Sequence, residues 1–350
     1  MEQSWNSTSS DRDERFDLIR LYACVGVVVL HATGQFATSP ATLCELASSA
    51  FHFLFRASVP LFFMTSGYFQ LSRFQGGVLS YYAKRARRVW LPTLFWSVLY
   101  VALFALDRGL KGNEIDFADL LRDWFYFGKP GAGYHLWFLY ALIPLDLLTP
   151  FVARSVSRVS SSTSLVLSAL IYLAFAIVTT RSLLLGEGGA SDLFIGVLGL
   201  AYLSYFYWGY AFGRRLKKNA GRATLWLAAL GFVASVLGMT ATAWRWGGDY
   251  ARNAFLPLCA LQALSVYALA TSIPIKRFPR LTRCVAWFAP LTFGVYLIHV
   301  ATFPIFSRLF ARLGACENLA TSIALAACAL ATSGVATLFL RRVPYFKRLV

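Results

Sequence analysis

Ten stretches of this chain are apolar over a length that suits a bilayer crossing, and that repetition constrains the fold more than any other feature. They are residues 18–36, 51–69, 89–106, 134–152, 165–179, 193–212, 225–243, 253–273, 287–306 and 319–340, the fifth being the shortest. A helix that crosses a bilayer needs about 17–25 predominantly apolar residues. The expected fold class is therefore all-α: a polytopic membrane helix bundle of about ten transmembrane helices. Composition points the same way. Hydrophobic residues make up 58% of the chain and charged residues 14%, and the mean hydropathy is +0.58. Soluble domains run at about 25% charged, so the polar surface of a water-soluble globule is missing. Disorder, collagen, coiled coil and a small disulfide scaffold are excluded on the same grounds.

The first stretch does not read as a cleaved signal peptide. It follows a polar leader, residues 1–15, with Asp11, Asp13 and Glu14, and it carries Arg20 and His31. Residues 16–350 are expected to form one membrane-embedded domain. The connection 107–133 is the longest; it is charged, aromatic and Gly-containing, and long enough to fold over the mouth of the bundle.

Lysine and arginine orient the bundle. With the N-terminus inside, 22 of the 33 fall in inner segments and 9 in outer ones, while Arg20 and Arg56 lie within spans. That bias, with an even number of spans, places both termini in the cytoplasm. It also accounts for the net charge of +17. A nucleic-acid partner would need a basic stripe on a soluble domain, and there is none. The six cysteines show no metal-type spacing, so no metal is expected. Cys44 and Cys316 both fall in outer loops, where a disulfide is conceivable but two lone thiols are favoured.

Charges inside a bilayer cost about 2.5–3.5 kcal/mol on insertion scales, which makes each one a functional candidate. The sharpest case is Arg20 with His31. Eleven residues apart, they fall about 20° from three full helical turns and so share a face, about 16 Å apart along the axis. Asp17 lies one turn before Arg20, within pairing distance. Either residue alone has a bland explanation, a snorkelling arginine or a histidine bonded to a neighbouring helix. Both together on one face favour function.

The other histidines extend the pattern. His52, His135 and His299, like His31, fall in the outer half or at the outer surface, and Arg56 lies one turn below His52. Together they predict a polar cavity open to the outside, lined by the first, second, fourth and ninth spans. Arg20, Arg73 and Asp146 fall toward the inner ends of spans, followed by the basic cluster 84–88. Guanidinium groups bind phosphate bidentately, so a phosphate-rich cytosolic ligand suits that end; the cluster itself reads first as a topology signal. Trp124, Trp137, Trp244 and Trp246 lie near the outer surface, where aromatic belts belong; such faces also stack on sugars.

Four stretches resemble the acyltransferase-3 family of integral-membrane O-acyltransferases. Phe16-Asp17-Leu18-Ile19-Arg20, followed by Val27-Val28-Val29-Leu30-His31, is similar to its opening signature of an Arg, ten residues and a His. Val59 to Tyr68, through Pro60 and Gly67, with Arg73 following, is similar to its second-helix signature. Tyr134-His135-Leu136-Trp137-Phe138-Leu139-Tyr140 is similar to a block in members that acetylate surface sugars. Gly294-Val295-Tyr296-Leu297-Ile298-His299 is similar to its late-helix signature. The chain resembles the short type without an appended esterase-like domain. The resemblance implies acyl transfer from cytoplasmic acyl-coenzyme A, by default acetyl-coenzyme A as co-substrate with no permanently bound cofactor. The implied acceptor is a hydroxyl of an envelope glycan or lipid-linked sugar, and the implied setting is the bacterial inner membrane. It implies that His31 is catalytic, with Arg20 its partner on the donor side, and that Arg73 contacts the donor. A histidine there can act as general base or carry the acyl group as nucleophile. His135, Trp137, His299 and Arg56 become candidates for binding the acceptor, the histidines and Arg56 also for oxyanion stabilisation; Asp17 and Asp146 are supporting residues. A transporter or flippase for glycan intermediates and a structural subunit of an envelope complex are the rival readings.

Overall fold

The structure is a computed structural model that describes residues 13–36, 40–74, 77–112, 133–185, 200–219, 221–248, 253 and 256–350. Among these residues it is helical, with no strand. Trp124 and most of the 107–133 connection lie outside the described residues, as do Asp11 and parts of the sixth and eighth expected spans. Each of the ten apolar stretches is mainly helical where it is described. Among the described residues, seven helical stretches are long and apolar enough to cross a membrane by length and composition. The chain is a multi-pass membrane protein.

Helix α1 (Glu14–Ala32) is the central element. It begins one turn before the apolar run because the Asp13 side chain accepts a hydrogen bond from the Arg15 amide, satisfying a helix-start donor. Arg15 in turn pairs with Asp13 at 2.9 Å and donates to the Thr271 carbonyl at 3.1 Å. Buried residues from Phe16 to Ala32 point in every direction, as a helix enclosed on all sides requires.

The second expected span is not one helix. It is α2 (Leu43–Phe53) and α3 (Ser58–Arg73), separated by turns at 54–57. Pro60 forces the break: it has no N–H for the carbonyl of residue 56, and its ring would clash with it. Broken backbone at membrane depth must find partners inside the protein, and here it does. The Phe53 carbonyl accepts from Gln262 Nε2 at 2.7 Å and the Leu54 carbonyl from the Tyr22 hydroxyl. The Phe55 carbonyl accepts from Ser58 Oγ at 2.6 Å and the Arg56 carbonyl from Cys259 Sγ at 3.8 Å. The Ala57 amide donates to Gln262 Oε1 at 2.7 Å. One glutamine amide thus brackets the break from both sides. A consequence is that His52, at the end of α2, and Arg56, in the turn, do not share a helical face as the uninterrupted reading had them.

Helix α4 (Val78–Arg85) continues through a wide π turn (Ala86–Trp90) into α5 (Leu91–Leu110). Such a turn is at home one turn ahead of Pro92, which has no N–H to offer residue 88. Gly133, at φ 72°, takes the left-handed conformation that only glycine adopts freely. It leads into a short 3₁₀ turn (Tyr134–Leu136) and α6 (Trp137–Arg158). Then come α7 (Ser161–Leu185), α8 (Leu203–Asn219), α9 (Arg222–Trp246), α10 (Pro257–Ser272), α11 (Pro279–Phe288), α12 (Thr292–Arg312) and α13 (Leu319–Leu340). Helix α1 packs against α3, α10, α11, α12 and α13. The outer faces of α7 and α9 expose Val166, Leu170, Leu227 and Leu230, as lipid contact requires, and Trp244 and Trp246 are exposed at the end of α9.

The tightest approach is between α3 and α8. A Cβ on Gly67 would sit 1.8 Å from the Phe206 carbonyl oxygen, and one on Gly209 would sit 1.9 Å from the Met64 carbonyl oxygen. Small residues let membrane helices touch backbone to backbone, where dispersion and polar contacts replace the missing hydrophobic drive. Gly67→Ala and Gly209→Ala are each expected to destabilise the detergent-solubilised protein by roughly 1–3 kcal/mol. Gly334→Ala, which meets nothing within 4 Å, is expected to hold or raise Tm in the same thermal melt.

Candidate active site

Arg20 and His31 lie on one unbroken helix, α1, and each meets a cluster drawn from other helices. At the arginine end, Arg20 Nη1 pairs with Asp17 Oδ1 at 3.0 Å. The Arg20 guanidinium lies 4.5 Å from the Phe69 ring centre, and that of Arg73 lies 4.9 Å from the same centre. One aromatic ring of α3 therefore holds both arginines, a favourable arrangement for planar cations. Arg88, in the π turn and exposed to solvent, feels the charges of Arg85 and Arg73.

Arg85 reaches into the bundle and pairs with Asp146 of α6 at 2.9 Å. Asp146 is fully buried and also accepts from Trp90 Nε1 at 3.1 Å. Helix α6 runs twelve residues past Asp146, so the carboxylate lies mid-helix. Beside it, Gln70 Oε1 accepts from Thr149 at 3.1 Å and from the Tyr81 hydroxyl. Arg85 was legible only as one member of a basic topology cluster; its role as the partner of a buried carboxylate was not.

At the other end, three of the four histidines meet. The ring centres of His31 and His299 are 5.3 Å apart and those of His135 and His299 are 5.1 Å apart. The Tyr134 hydroxyl lies 3.3 Å from His31 Nδ1, and the two rings meet edge to face at 5.1 Å. His299 Nδ1 lies 2.7 Å from the Tyr296 carbonyl, and His135 Nε2 lies 3.3 Å from the Leu297 carbonyl. The Tyr296 hydroxyl donates to the His135 carbonyl, and the Tyr100 hydroxyl donates to the Leu297 carbonyl at 2.7 Å. These tyrosines lock α5, the 3₁₀ turn and α12 together around the imidazoles. His135 and His299 are buried while His31 is partly exposed.

The fourth histidine stands beside the cluster, with His52 Nδ1 3.0 Å from Thr33 Oγ1. His52 and Arg56 both act electrostatically on His31, and Arg56 Nε is buried without a hydrogen-bond partner among the described residues. Trp137 is half-buried against Tyr202, with ring centres 5.9 Å apart, so it faces the bundle and not only the lipid. Tyr134, the direct neighbour of His31, was quoted within a motif but not singled out as a site residue. Among the described residues, no group of three or more His, Cys, Asp or Glu side chains is arranged to hold a metal ion, and all six cysteines are free, Cys44 and Cys316 included.

Residues 13–340 match the family described as "Acyltransferase domain". The chain belongs to the acyltransferase-3 family. Both signature residues of its α1, Arg20 and His31, fall inside the matched region, as do the arginine and histidine clusters. The chain is also 32% identical over 148 residues to an amino-acid racemase from Enterococcus faecalis. That match covers 41% of this chain and 20% of the racemase, so the chain spans about a fifth of the length of the curated relative it matches. No solved structure matches.

Proposed function

We propose that this acyltransferase-3 protein moves an acyl group, by default acetyl, from cytoplasmic acyl-coenzyme A to a hydroxyl of an envelope glycan or lipid-linked sugar at the bacterial inner membrane. The observation that carries the reading is helix α1, which joins a cluster of arginines at one end to a cluster of imidazoles at the other. The arginine end faces the cytoplasm in this reading, with both chain termini on that side. There Arg20 and Arg73 receive the donor's phosphates, which guanidinium groups match bidentately. The thioester extends along α1 toward His31.

At His31 the acceptor hydroxyl attacks the thioester carbonyl. His31 takes the hydroxyl proton as general base, the C–O bond forms, the C–S bond breaks, and the proton passes to the departing thiolate. The Tyr134 hydroxyl beside Nδ1 holds the ring's orientation, the second-partner function a catalytic histidine needs. Asp17 steadies Arg20 from the preceding turn.

The test is thiol release from acetyl-coenzyme A by the purified protein, with and without a panel of sugars and envelope glycolipids. Acceptor-dependent release supports the reading; absence of both release and donor binding supports a transporter. Arg20→Gln and Arg73→Gln are each expected to raise the donor KM by about 10- to 100-fold, the scale of one hydrogen-bonded charge contact, and to leave the acceptor KM near its wild-type value.

A further inference from the structure

Among the described residues, the two imidazoles that meet His31 each bury one nitrogen without a hydrogen-bond partner. His299 Nε2 and His135 Nδ1 are both inaccessible to solvent and without a hydrogen-bond partner among the described residues. Buried polar atoms in folded proteins are almost always satisfied, so each exception calls for an explanation. What these two nitrogens can accept follows from their ring partners. His299 Nδ1 faces the Tyr296 carbonyl at 2.7 Å, and His135 Nε2 faces the Leu297 carbonyl at 3.3 Å. A carbonyl oxygen only accepts, so in each case the nitrogen facing it must carry the hydrogen. In a neutral imidazole the other nitrogen then carries a lone pair. Both orphan nitrogens are therefore acceptors, and two acceptors cannot satisfy one another.

That asymmetry separates two roles the sequence left open. Stabilising an oxyanion needs an N–H on the free nitrogen, and here the carbonyls have claimed the hydrogens on the opposite side of each ring. The free nitrogens suit groups that donate. The rings stand 5.1 Å apart and flank His31 through His299 at 5.3 Å. We propose that His299 Nε2 and His135 Nδ1 bind two neighbouring hydroxyls of a polyol, each hydroxyl donating to one nitrogen. The sugar acceptor of the acyl-transfer reading then presents two adjacent free hydroxyls to this pair, and His31 is left for the hydroxyl that reacts. This adds a recognition feature to the sugar acceptor of the acyl-transfer reading and rests on that reading for its biological meaning, though not for its test. Such a pair would discriminate against an analogue lacking either hydroxyl by about the worth of one hydrogen bond, because one acceptor would again lack its donor.

The test is direct binding, which needs no turnover. The purified full-length chain is titrated with methyl glycosides of glucose, galactose and mannose and with the monodeoxy analogues of each, followed by saturation-transfer NMR. On the wild type, removing either of two adjacent hydroxyls should weaken binding about 3- to 10-fold, the range of one hydrogen bond. Removing the remaining hydroxyls should do little. His299→Asn and His135→Gln each keep an N–H for the carbonyl and remove the imidazole nitrogen whose lone pair the hydroxyl uses. Each should cost a similar factor on the parent glycoside and nothing further on the analogue that lacks its matching hydroxyl. A structural role would weaken parent and analogue alike. No binding by any glycoside, equal binding across the deoxy series, or variants that bind as the wild type does would each overturn the proposal. A chain that binds through both imidazoles yet releases no thiol from acetyl-coenzyme A overturns the acyltransferase reading and leaves this one standing. A chain that turns over, with unchanged glycoside affinity in both variants, does the reverse.

Discussion

His31→Ala and His31→Gln are expected to lower acceptor-dependent thiol release by about 10²–10⁴-fold, the usual contribution of a positioned general base. The loss should appear in kcat, because His31 sits 11 residues along α1 from Arg20 and the donor's phosphates are held at the arginine end. Donor binding measured by itself should persist in both variants. Thermal melts separate this from unfolding: His31 is partly exposed and its ring makes a hydrogen-bond contact to Tyr134, so Tm should fall little. Tyr134→Phe keeps the edge-on ring and removes the hydroxyl, and should cost activity but less than loss of the histidine. Rates in His31→Ala equal to those of the wild type would remove this residue from the chemistry.

Asp146→Ala is the change expected to cost most in stability, about 3–5 kcal/mol. Deleting the carboxylate strands the Arg85 guanidinium, whose side chain is 18% exposed, and leaves Trp90 Nε1 without its acceptor. An uncompensated buried charge is far more expensive than the ion pair is valuable. For that reason the double variant Asp146→Leu with Arg85→Met should recover much of the loss in a denaturation series. A single variant as stable as the wild type, or a double variant worse than the sum of the singles, would show that the pair is not the unit holding α4 to α6.

Much of this arrangement could be read from spacing, and the parts that could not share a physical reason. Arg20, His31 and Asp17 were legible because one helix carries all three and helical periodicity is enough to relate them. Gly67 was quoted only within a signature stretch, and the structure supplies the reason for a glycine there, the backbone of α8 at Phe206. The meeting of His135 and His299 with His31 was expected only as a shared cavity. Their distances depend on how α6 and α12 dock, which no local pattern encodes. Tyr134 was invisible as a site residue because 57 aromatics dilute the signal of any one. Arg85 was hidden for the opposite reason, since a run of basic residues at a membrane boundary already has an explanation. The break at 54–57 was missed because residues 51–69 are apolar on both sides of Pro60, so hydropathy alone reads them as one continuous span.

That break has a consequence for the order in which the protein can be made. Both of its open backbone groups served by Gln262 are bonded across 205 and 209 residues of sequence. At about 5–20 residues per second of synthesis, that separation corresponds to on the order of 10–40 s. Throughout that interval the second hydrophobic segment is in place while its two halves lack their bracket: the Phe53 carbonyl keeps only its local bond from the Arg56 amide at 3.3 Å, and water or lipid headgroups must serve the Ala57 amide in the meantime. The early segments cannot lock until a helix from the last third of the chain arrives, so a nascent chain halted before α10 should remain open at this joint and accessible to proteolysis there.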